Sequence, residues 1–450
     1  MSRYHTGVIL LGLLLCAGVI LTGGCAWSPA EMGLPEQEAA IEAAPALDRY
    51  PVTGKVLAVT EERFTIQDTQ GRVRQFPVPV GMWGPLYPGC WIKLVYQQDP
   101  AGGHVQSMQV IEPATLPERA AAILAGMTLE EKVGQLFLAR CPKEEGADWV
   151  DRLHLGGYIL FDRDFQGRTP EQVREVLATY QQAASIPLFI AVDEEGGTVV
   201  RASRDPAFRE TPFPGPQQLY QAGGWEAIGK DTEEKCAFLR DLGINLNLAP
   251  VADVSQDPDD FIYCRTLGKN GAETAQYVAM VVEIMGEQKI GSTLKHFPGY
   301  GNNLDTHTGM VLDQRTYQTL QEQDLLPFQA GIAAGATMVM VSHNTVACLD
   351  PDHPASLSPA VLALLRQDLG FQGIAITDDL AMAAATGWSG DYSPAVQAIL
   401  AGEDMLCSSD FVNDYEEVLA AAADGTIPTA RLDQAVLRIL QAKLRLGLLK

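Results

Sequence analysis

The larger part of the chain alternates short apolar runs with segments that have one apolar face. The amphipathic segments carry helix-start signals, such as the capping-box pattern from Thr128 to Glu131 and the pairs Thr169-Pro170 and Ser358-Pro359. The apolar runs between them have the length of buried strands. Eight such runs follow Leu116: Gln135–Ala139, Gly157–Phe161, Leu188–Val192, Asn245–Ala249, Gly291–Lys295, Thr337–Ser342, Ile374–Thr377 and Asp404–Leu406.

Eight buried strands joined by crossover helices predict an α/β fold over residues 116–450, a (β/α)₈ barrel of the TIM type. A doubly wound open sheet is the alternative for the same alternation. No strand is followed by a G-x-G-x-x-G or G-x-x-x-x-G-K-[ST] sequence, which argues against a nucleotide-binding version of that sheet.

A different pattern precedes the predicted barrel. Residues 50–113 contain short alternating segments, some of them separated by turn-forming residues at 68–71 and 99–103. This pattern predicts a small β-barrel-like domain, with an OB-like barrel as one version. Stacked aromatic positions with basic neighbours are missing from the segment, so we expect a spacer or a wall-facing module and not a nucleic-acid binder. The predicted strands are Gly54–Val59, Arg63–Gln67, Arg72–Val78, Trp91–Gln97 and His104–Ile111.

The N-terminal segment differs from both predicted domains. Its apolar run, Val8–Leu21, is shorter than a membrane-spanning helix needs and ends close to Cys25. Residues 1–24 therefore resemble a bacterial lipoprotein signal peptide, with cleavage before Cys25 and acylation of that residue. An uncleaved N-terminal anchor is the alternative. Both interpretations place the body of the protein in the cell envelope, outside the cytoplasmic membrane, with residues 25–49 as a flexible tether.

Composition narrows the range of partners. The formal net charge of −24 argues against a nucleic-acid partner and against electrostatic attraction to an anionic membrane surface. A content of 47% hydrophobic and 20% charged residues is typical of a globular protein. The eight cysteines include no C-x-x-C pair and no metal-ligand spacing, and their disulfide pairing cannot be deduced from sequence. The sequence does not indicate an oligomeric state.

The segment Lys295–His307 holds the densest set of chemically active side chains. Gly299 and Gly301 follow an apolar run and favour an exposed loop at the carboxyl end of a strand, where barrel enzymes place their active sites. Asp305 lies two residues before His307, so its carboxylate can bond one ring nitrogen while the other nitrogen exchanges a proton with a substrate. We interpret the pair as catalytic; the alternative is a polar loop whose histidines bond the backbone. The polar members of the segment are Lys295, His296, Asp305 and His307.

The ends of the other predicted strands add carboxylates, arginines and a histidine. Such a set suits a ligand with many hydroxyls and one centre that develops charge, namely a sugar. A helix N-cap is the alternative role for Asp193 and for the pair Asp378-Asp379, in which Asp379 is the better candidate, and Asp253 is expected to be structural. We predict no metal and no cofactor, because no H-x-H follows the first barrel strand and Lys295 would lie beside the cation. The residues are Asp193, Arg201, Asp253, Arg265, His343, Asp378, Asp379 and Cys407.

Four motifs together resemble one enzyme family. The sequence resembles glycoside hydrolase family 3 from about Leu116 onward, and its Asp-x-His loop is similar to that of the β-N-acetylglucosaminidase (β-N-acetylhexosaminidase) branch. The resemblance implies a (β/α)₈ catalytic domain. The motifs are Asp193-Glu194-Glu195-Gly196-Gly197-Thr198-Val199-Val200-Arg201, Arg265-Thr266-Leu267-Gly268, Lys295-His296-Phe297-Pro298-Gly299 with Asp305-Thr306-His307, and Thr377-Asp378-Asp379-Leu380.

The resemblance also implies residue roles. It implies a retaining double displacement in which Asp378 is the nucleophile and His307, oriented by Asp305, is the acid/base. Two positions depart from the family pattern, since Glu194 stands where Gln is common and Tyr300 stands where His is common. The residues implied to bind the non-reducing sugar are Asp193, Arg201, Arg265, Lys295, His296 and His343.

The expected activity is removal of terminal β-linked N-acetylglucosamine from peptidoglycan fragments or chitooligosaccharides. Phosphorolysis at the same site and a different exo-glycosidase activity, such as that of a β-glucosidase, are alternatives. A non-catalytic sugar-binding lipoprotein is a third alternative, from another functional class.

Overall fold

A computed structural model describes residues 49–60, 62–78, 86–99, 102–112, 114–306, 309–388 and 390–449. The predicted signal peptide, Cys25 and the predicted tether up to residue 48 lie outside the described residues, as does His307. No helix among the described residues is long and apolar enough to cross a membrane.

An antiparallel sheet forms the first part of the described chain. Its strand order is β3-β2-β1-β4-β5, with β1 paired to both β2 and β4. All five predicted strands are confirmed, and the alternation along them buries one face, on which the rings of Phe64 and Phe76 stack at 5.6 Å. Closure of this sheet into a barrel stays a prediction. The strands are β1 (Arg49–Val59), β2 (Arg63–Asp68), β3 (Val73–Pro77), β4 (Trp91–Asp99) and β5 (Gly102–Glu112).

A ring of eight parallel strands forms the second part, and it confirms the predicted barrel. The sheet order is β14-β12-β10-β9-β8-β7-β6-β15, and a parallel bridge between Ile376 and Met405 joins its two ends. That bridge excludes the doubly wound open sheet, which would leave two separate edges. The strands are β6 (Phe137–Arg140), β7 (Gly157–Leu160), β8 (Phe189–Val192), β9 (Leu246–Asn247), β10 (Gly291–Phe297), β12 (Met338–Val341), β14 (Ile374–Thr377) and β15 (Leu406–Ser408), with the short pair β11 (Leu312–Asp313) and β13 (Thr345–Val346) beside them.

Helices surround the barrel strands and start where the sequence predicts. Thr128 and Thr169 each accept a bond from a backbone N–H three residues on, and the residue at that position bonds back. The predicted capping box at Thr128 and the predicted helix start at Thr169 are therefore confirmed. The helices are α1 (Leu116–Leu124), α2 (Leu129–Gln135), α3 (Gly146–Leu153), α4 (Asp162–Phe165), α5 (Pro170–Ala183), α6 (Pro216–Asp241), α7 (Gly271–Glu287), α8 (Tyr317–Thr319), α9 (Leu325–Ala333), α10 (Pro359–Ala363), α11 (Ala383–Thr386), α12 (Pro394–Ala401), α13 (Phe411–Ala423) and α14 (Thr429–Leu446).

The amino-terminal end of the barrel is closed by buried charge. Asp404, just before β15, is fully buried and accepts bonds from Arg366, Arg431 and Arg438. Lys443 of α14 is also fully buried and donates to the Gln135 side chain at 2.7 Å, and burial lowers its pKa to about 7. These contacts attach the outer helices to the strands and leave the opposite, carboxyl-terminal end for chemistry.

Candidate active site

A cavity of about 390 Å³ opens at the carboxyl-terminal ends of the barrel strands. This volume lies within the usual range for sites that bind small molecules. Eight of the residues named from the sequence line it: Asp193, Arg201, Arg265, Lys295, His296, Asp378, Asp379 and Cys407.

Lys295 is the central cation of the cavity. Its Nζ lies 2.7 Å from Asp193 Oδ1 and 2.7 Å from Glu195 Oε1, although the side chain is only 3% exposed. Burial lowers the pKa of Lys295, but the two carboxylates outweigh it, so that the net shift is upward and the amine stays charged. Lys295 thereby holds the end of β8 against the end of β10.

Glu195 forms ion pairs with two cations, and the sequence analysis did not identify it as a site residue. Its carboxylate accepts from Arg265 Nε at 3.0 Å and Nη2 at 2.7 Å, a bidentate pair, and also contacts Lys295. Burial raises the pKa of Glu195, yet the charges of Arg265 and Lys295 lower it well below its usual range. Its place in the same motif as Asp193 is the signal that could have identified it.

His296 is oriented by Asp253. The Asp253 Oδ2 atom lies 2.7 Å from His296 Nδ1 and accepts the His296 backbone N–H at 3.1 Å. On the other side of the ring, Arg265 Nη2 lies 3.2 Å from His296 Nε2. These partners favour the tautomer with the proton on Nδ1, because an arginine can only donate. Asp253 is fully buried behind the cavity, in a structural position.

Asp378 and Asp379 are neighbours with different surroundings. The Asp379 carboxylate accepts the N–H groups of Ala381 and Ser409 and the Ser409 hydroxyl, so it organises two loops. Asp378 lines the cavity, and its Oδ1 accepts the Asp379 N–H at 2.9 Å. Burial raises the pKa of Asp378, but the opposing effects are larger and the net shift is downward. They come from His296, His343, the Asp379 N–H and Lys295. The carboxylate is therefore ionised at neutral pH.

Asp193 and Arg201 face each other at the cavity wall. Arg201 Nη2 lies 3.6 Å from Asp193 Oδ2, and its other terminal nitrogen lies 3.9 Å from Asp162 Oδ1. The alternative role of Asp193 as a helix N-cap is wrong, because the next helix begins only at Pro216. Its carboxylate is instead shared between Lys295 and Arg201.

Glu194 points away from the cavity. It is fully buried, and its carboxylate accepts the N–H groups of Arg201 at 3.0 Å and Ala202 at 2.9 Å and the Ser203 hydroxyl. Burial raises its pKa, although these donors and Lys235 oppose the shift. The presence of Glu in place of the common Gln at residue 194 therefore affects the loop that presents Arg201 and does not change the surface of the cavity.

His343 lies behind the cavity and does not line it. Its Nδ1 is 2.7 Å from the Ser356 hydroxyl, and its Nε2 is 3.1 Å from the carbonyl oxygen of Asp379. These contacts support the backbone next to Asp378. A direct role in sugar binding stays a prediction.

The loop after β10 is held by buried groups up to the last described residue before His307. Tyr300 takes the position where His is common, and its hydroxyl lies 2.6 Å from the Thr306 hydroxyl and accepts the Thr306 N–H at 3.2 Å. The Tyr300 N–H donates to Asp253 at 2.7 Å, so the same carboxylate orients His296 and this loop. Asp305 is described and half-buried, but the geometry of the Asp305–His307 pair stays a prediction.

Gly299 and Gly301 are required by a close approach and by backbone conformation. Their φ angles are +123° and +53°. A Cβ at Gly299 would lie 2.6 Å from an Asp324 oxygen, and one at Gly301 would lie 2.0 Å from Arg315. Arg315 bonds Asp324 at 2.7 Å and the Gly299 carbonyl at 2.7 Å, a buried support of this loop that sequence reasoning did not find.

Comparison with known proteins agrees with this geometry. Residues 128–442 match the model of the glycosyl hydrolase family 3 N-terminal domain. That match covers well over half of the chain.

The chain belongs to glycoside hydrolase family 3.

The family resemblance read from the four motifs is thereby confirmed, and the family is one of glycoside hydrolase enzymes. A β-hexosaminidase of Stenotrophomonas maltophilia (strain K279a) is 35% identical over 299 residues, which is 63% of this chain and 85% of that protein.

Two solved structures are also similar to this chain. A glycoside hydrolase family 3 β-N-acetylglucosaminidase from Paenibacillus sp. matches 72% of this chain at 32% identity and a TM-score of 0.66. The match spans 63% of the Paenibacillus chain, less than two thirds of its length. A β-N-acetylhexosaminidase from Beutenbergia cavernae matches 71% of this chain and 99% of its own at 31% identity and a TM-score of 0.62.

We predict that Glu194→Gln makes thermal stability less dependent on pH. Burial raises the folded-state pKa of Glu194 above the unfolded value of 4.5. Protonated Glu194 therefore contributes stability to the folded state, which is fully present below pH 4.5 and is lost as pH rises through the folded-state pKa. A glutamine does not titrate, and its oxygen can accept the two N–H groups while its nitrogen donates to Ser203. The midpoint of the variant, measured by differential scanning fluorimetry, should exceed that of the wild type by about 2 °C or more at pH 8 and by less at pH 4.5.

Glu195→Gln is the matched control in the adjacent residue. It leaves Lys295 and Arg265 with less compensating charge, so the midpoint should fall across the whole pH range, by an amount equivalent to about 3 kcal/mol. A Glu194→Gln variant whose midpoint differs from the wild type by the same amount at every pH would contradict our account of Glu194.

Proposed function

We propose that the protein is an exo-acting, retaining β-N-acetylhexosaminidase that removes terminal β-linked N-acetylglucosamine. The observation that carries the proposal is the ionised Asp378 carboxylate in a sugar-sized cavity, together with the charged side chains of Asp193, Arg201, Arg265 and Lys295. This substrate class is supported by the similar proteins of Stenotrophomonas, Paenibacillus and Beutenbergia, which are a β-hexosaminidase, a β-N-acetylglucosaminidase and a β-N-acetylhexosaminidase.

Binding of the terminal sugar uses the network around Lys295. Asp193 accepts bonds from sugar hydroxyls, while Lys295 and Arg265 offer donors whose positions are already set by Glu195, and Asp253 fixes the His296 ring beside them. Because these side chains are ordered by one another, little conformational entropy is lost when the sugar binds. The hydroxyls are thereby aligned before any bond changes.

The proposed reaction has two displacements. In the first, Asp378 attacks the anomeric carbon, the bond to the leaving oxygen breaks, and His307 donates a proton to that oxygen. In the second, His307 removes a proton from a water molecule, the water oxygen attacks the anomeric carbon, and the ester bond to Asp378 breaks. Two inversions give net retention. Asp305 is proposed to orient His307.

The proposed natural substrates are peptidoglycan fragments or chitooligosaccharides.

We also propose that the protein is a lipoprotein of the cell envelope, anchored through Cys25, on the basis of the apolar run that precedes this residue. Labelling of expressing cells with radioactive palmitate should mark the wild type and leave a Cys25→Ala variant unlabelled. Equal labelling of both proteins would contradict the lipoprotein proposal.

Asp378→Asn should abolish turnover of an aryl β-N-acetylglucosaminide, with kcat reduced by about 10³-fold or more, because the nucleophile is lost. The pKa of Asp378 lies below the ordinary value of 3.8, so the carboxylate is charged above that pH and the acid limb of the wild-type profile should fall below it. Asp379→Asn is the matched control, and it should lower kcat by less than about tenfold.

A covalent label tests the same assignment directly. A fluorinated N-acetylglucosaminyl label should attach to Asp378 and be found on its peptide by mass spectrometry.

Wild-type activity at the background rate would end the enzyme proposal and favour a non-catalytic sugar-binding lipoprotein. Turnover of aryl β-glucosides in place of N-acetylglucosaminides would indicate the β-glucosidase alternative.

His307→Ala should discriminate between leaving groups. A nitrophenol leaves without protonation, so turnover of its glycoside should fall by less than about tenfold, whereas turnover of diacetylchitobiose should fall by about 10²- to 10⁴-fold. His343→Ala is the matched control and should affect both substrates alike, because His343 bonds Ser356 and the Asp379 carbonyl behind the cavity. Equal losses on both substrates in His307→Ala would remove His307 from the acid/base role.

A further inference from the structure

Arg140 is the last residue of β6 and contributes to the wall of the cavity. In the closed ring of strands, β6 lies four strands from β10 in either direction, so Arg140 faces the cavity from the side opposite Lys295 and His296. None of the four sequence motifs includes this residue.

The other cations of the cavity are compensated by carboxylates of the chain. Lys295 contacts Asp193 and Glu195, Arg265 contacts Glu195, and Arg201 lies within 4 Å of Asp193. Each of these cations is therefore part of the network that orders the cavity before a ligand arrives.

Arg140 differs from these cations in its lack of a carboxylate partner among the described residues, whereas an unpaired buried Nε is a feature that it shares with Arg201. Within the described part of the chain, no carboxylate lies within 4 Å of its guanidinium, and its buried Nε has no hydrogen-bond partner. Its described contact is with the ring of Phe161, whose centroid is 4.5 Å from the guanidinium carbon. The nearby Asp164 carboxylate bonds the Phe161 N–H and lies 3.8 Å from Arg163, and Arg140 acts on it only as a charge more than 4 Å away.

An arginine in this setting is suited to an oxyanion. The planar guanidinium presents several N–H donors in a fork that matches a carboxylate or a phosphate, and the cation–π contact with Phe161 helps to hold it in place. A neutral hydroxyl could accept one bond but would not compensate the charge. In a half-buried cavity, an anionic ligand therefore gains more from Arg140 than a neutral ligand of the same shape.

We propose that Arg140 is a specificity-determining residue that binds an oxyanion in the cavity, carried by the leaving sugar as a carboxylate or supplied as free phosphate. This inference rests on the proposed function, because it concerns what the same cavity accepts beside the N-acetylglucosaminyl group. In the phosphate case, a phosphate oxygen attacks the anomeric carbon of the glycosyl ester, the bond to Asp378 breaks, and the products are the sugar 1-phosphate and the free carboxylate.

The test compares two disaccharides that differ by one carboxylate. N-acetylglucosaminyl-N-acetylmuramic acid carries a lactyl carboxylate on its leaving sugar, and diacetylchitobiose does not. Arg140→Gln should lower kcat/KM for the first by about tenfold to 100-fold and change that for the second by less than about threefold. Arg140→Lys keeps the charge without the fork and should recover part of the loss.

The phosphate source is tested with the same variants. If phosphate is the oxyanion, the wild type with inorganic phosphate should release N-acetylglucosamine 1-phosphate, and Arg140→Gln should shift the product toward the free sugar. The control Arg152→Gln alters an arginine that lies over Trp149 in α3, outside the cavity lining, and should behave as the wild type in both assays.

Binding to an inactive protein separates this inference from the proposed function. In Asp378→Asn, titration calorimetry should give tighter binding of the carboxylate disaccharide than of diacetylchitobiose, or binding of inorganic phosphate, and Arg140→Gln should remove that difference. A wild type that turns over neither disaccharide, while this binding difference persists, would refute the proposed function alone. Equal effects of Arg140→Gln on both disaccharides, with no effect on phosphate, would overturn the assignment of Arg140.

Discussion

The site depends on one buried cation shared by two carboxylates. Lys295 lies on β10, and its partners Asp193 and Glu195 follow β8, so the ammonium group joins the ends of two strands that are separated by β9. A charge with 3% side-chain exposure is stable only if it is compensated and hydrogen-bonded. Through Glu195 the same network includes Arg265, and through Arg265 it reaches His296. The charged lining of the cavity is therefore one connected electrostatic unit.

Adjacent residues in this site have separate tasks, which depend on where each side chain points. Of the three consecutive acids, Asp193 faces the cavity, Glu194 bonds the loop that presents Arg201, and Glu195 compensates two cations behind the surface. Asp378 and Asp379 both line the cavity, but only the Asp379 carboxylate also bonds two loops, through Ala381 and Ser409. The proposed nucleophile Asp378 therefore accepts only one backbone N–H, because Asp379 bonds the loops.

A second layer of buried groups supports the loop that follows β10. Asp253 bonds both the His296 ring and the Tyr300 N–H, and the Tyr300 hydroxyl holds Thr306. Arg315 supports the same loop through the Gly299 carbonyl. The replacement of His by Tyr at residue 300 is accommodated here because the longer side chain reaches Thr306. The same carboxylate therefore positions both His296, which is proposed to bind the sugar, and the loop of the proposed acid/base.

The sequence by itself determined the barrel, its helix starts and the position of the site. Hydrophobic periodicity and capping residues are local properties, and all eight barrel strands were predictable because parallel strands are buried on both faces. The placement of Asp193, Arg265, Lys295 and Asp378 around one cavity follows from the rule that strand ends meet at one end of a barrel. Only the tertiary structure decided which acids compensate cations, that Asp193 is no helix cap, and that Arg140 has no carboxylate partner among the described residues. Those outcomes depend on side-chain direction and on contacts between residues far apart in the chain, and neither is encoded in local pattern.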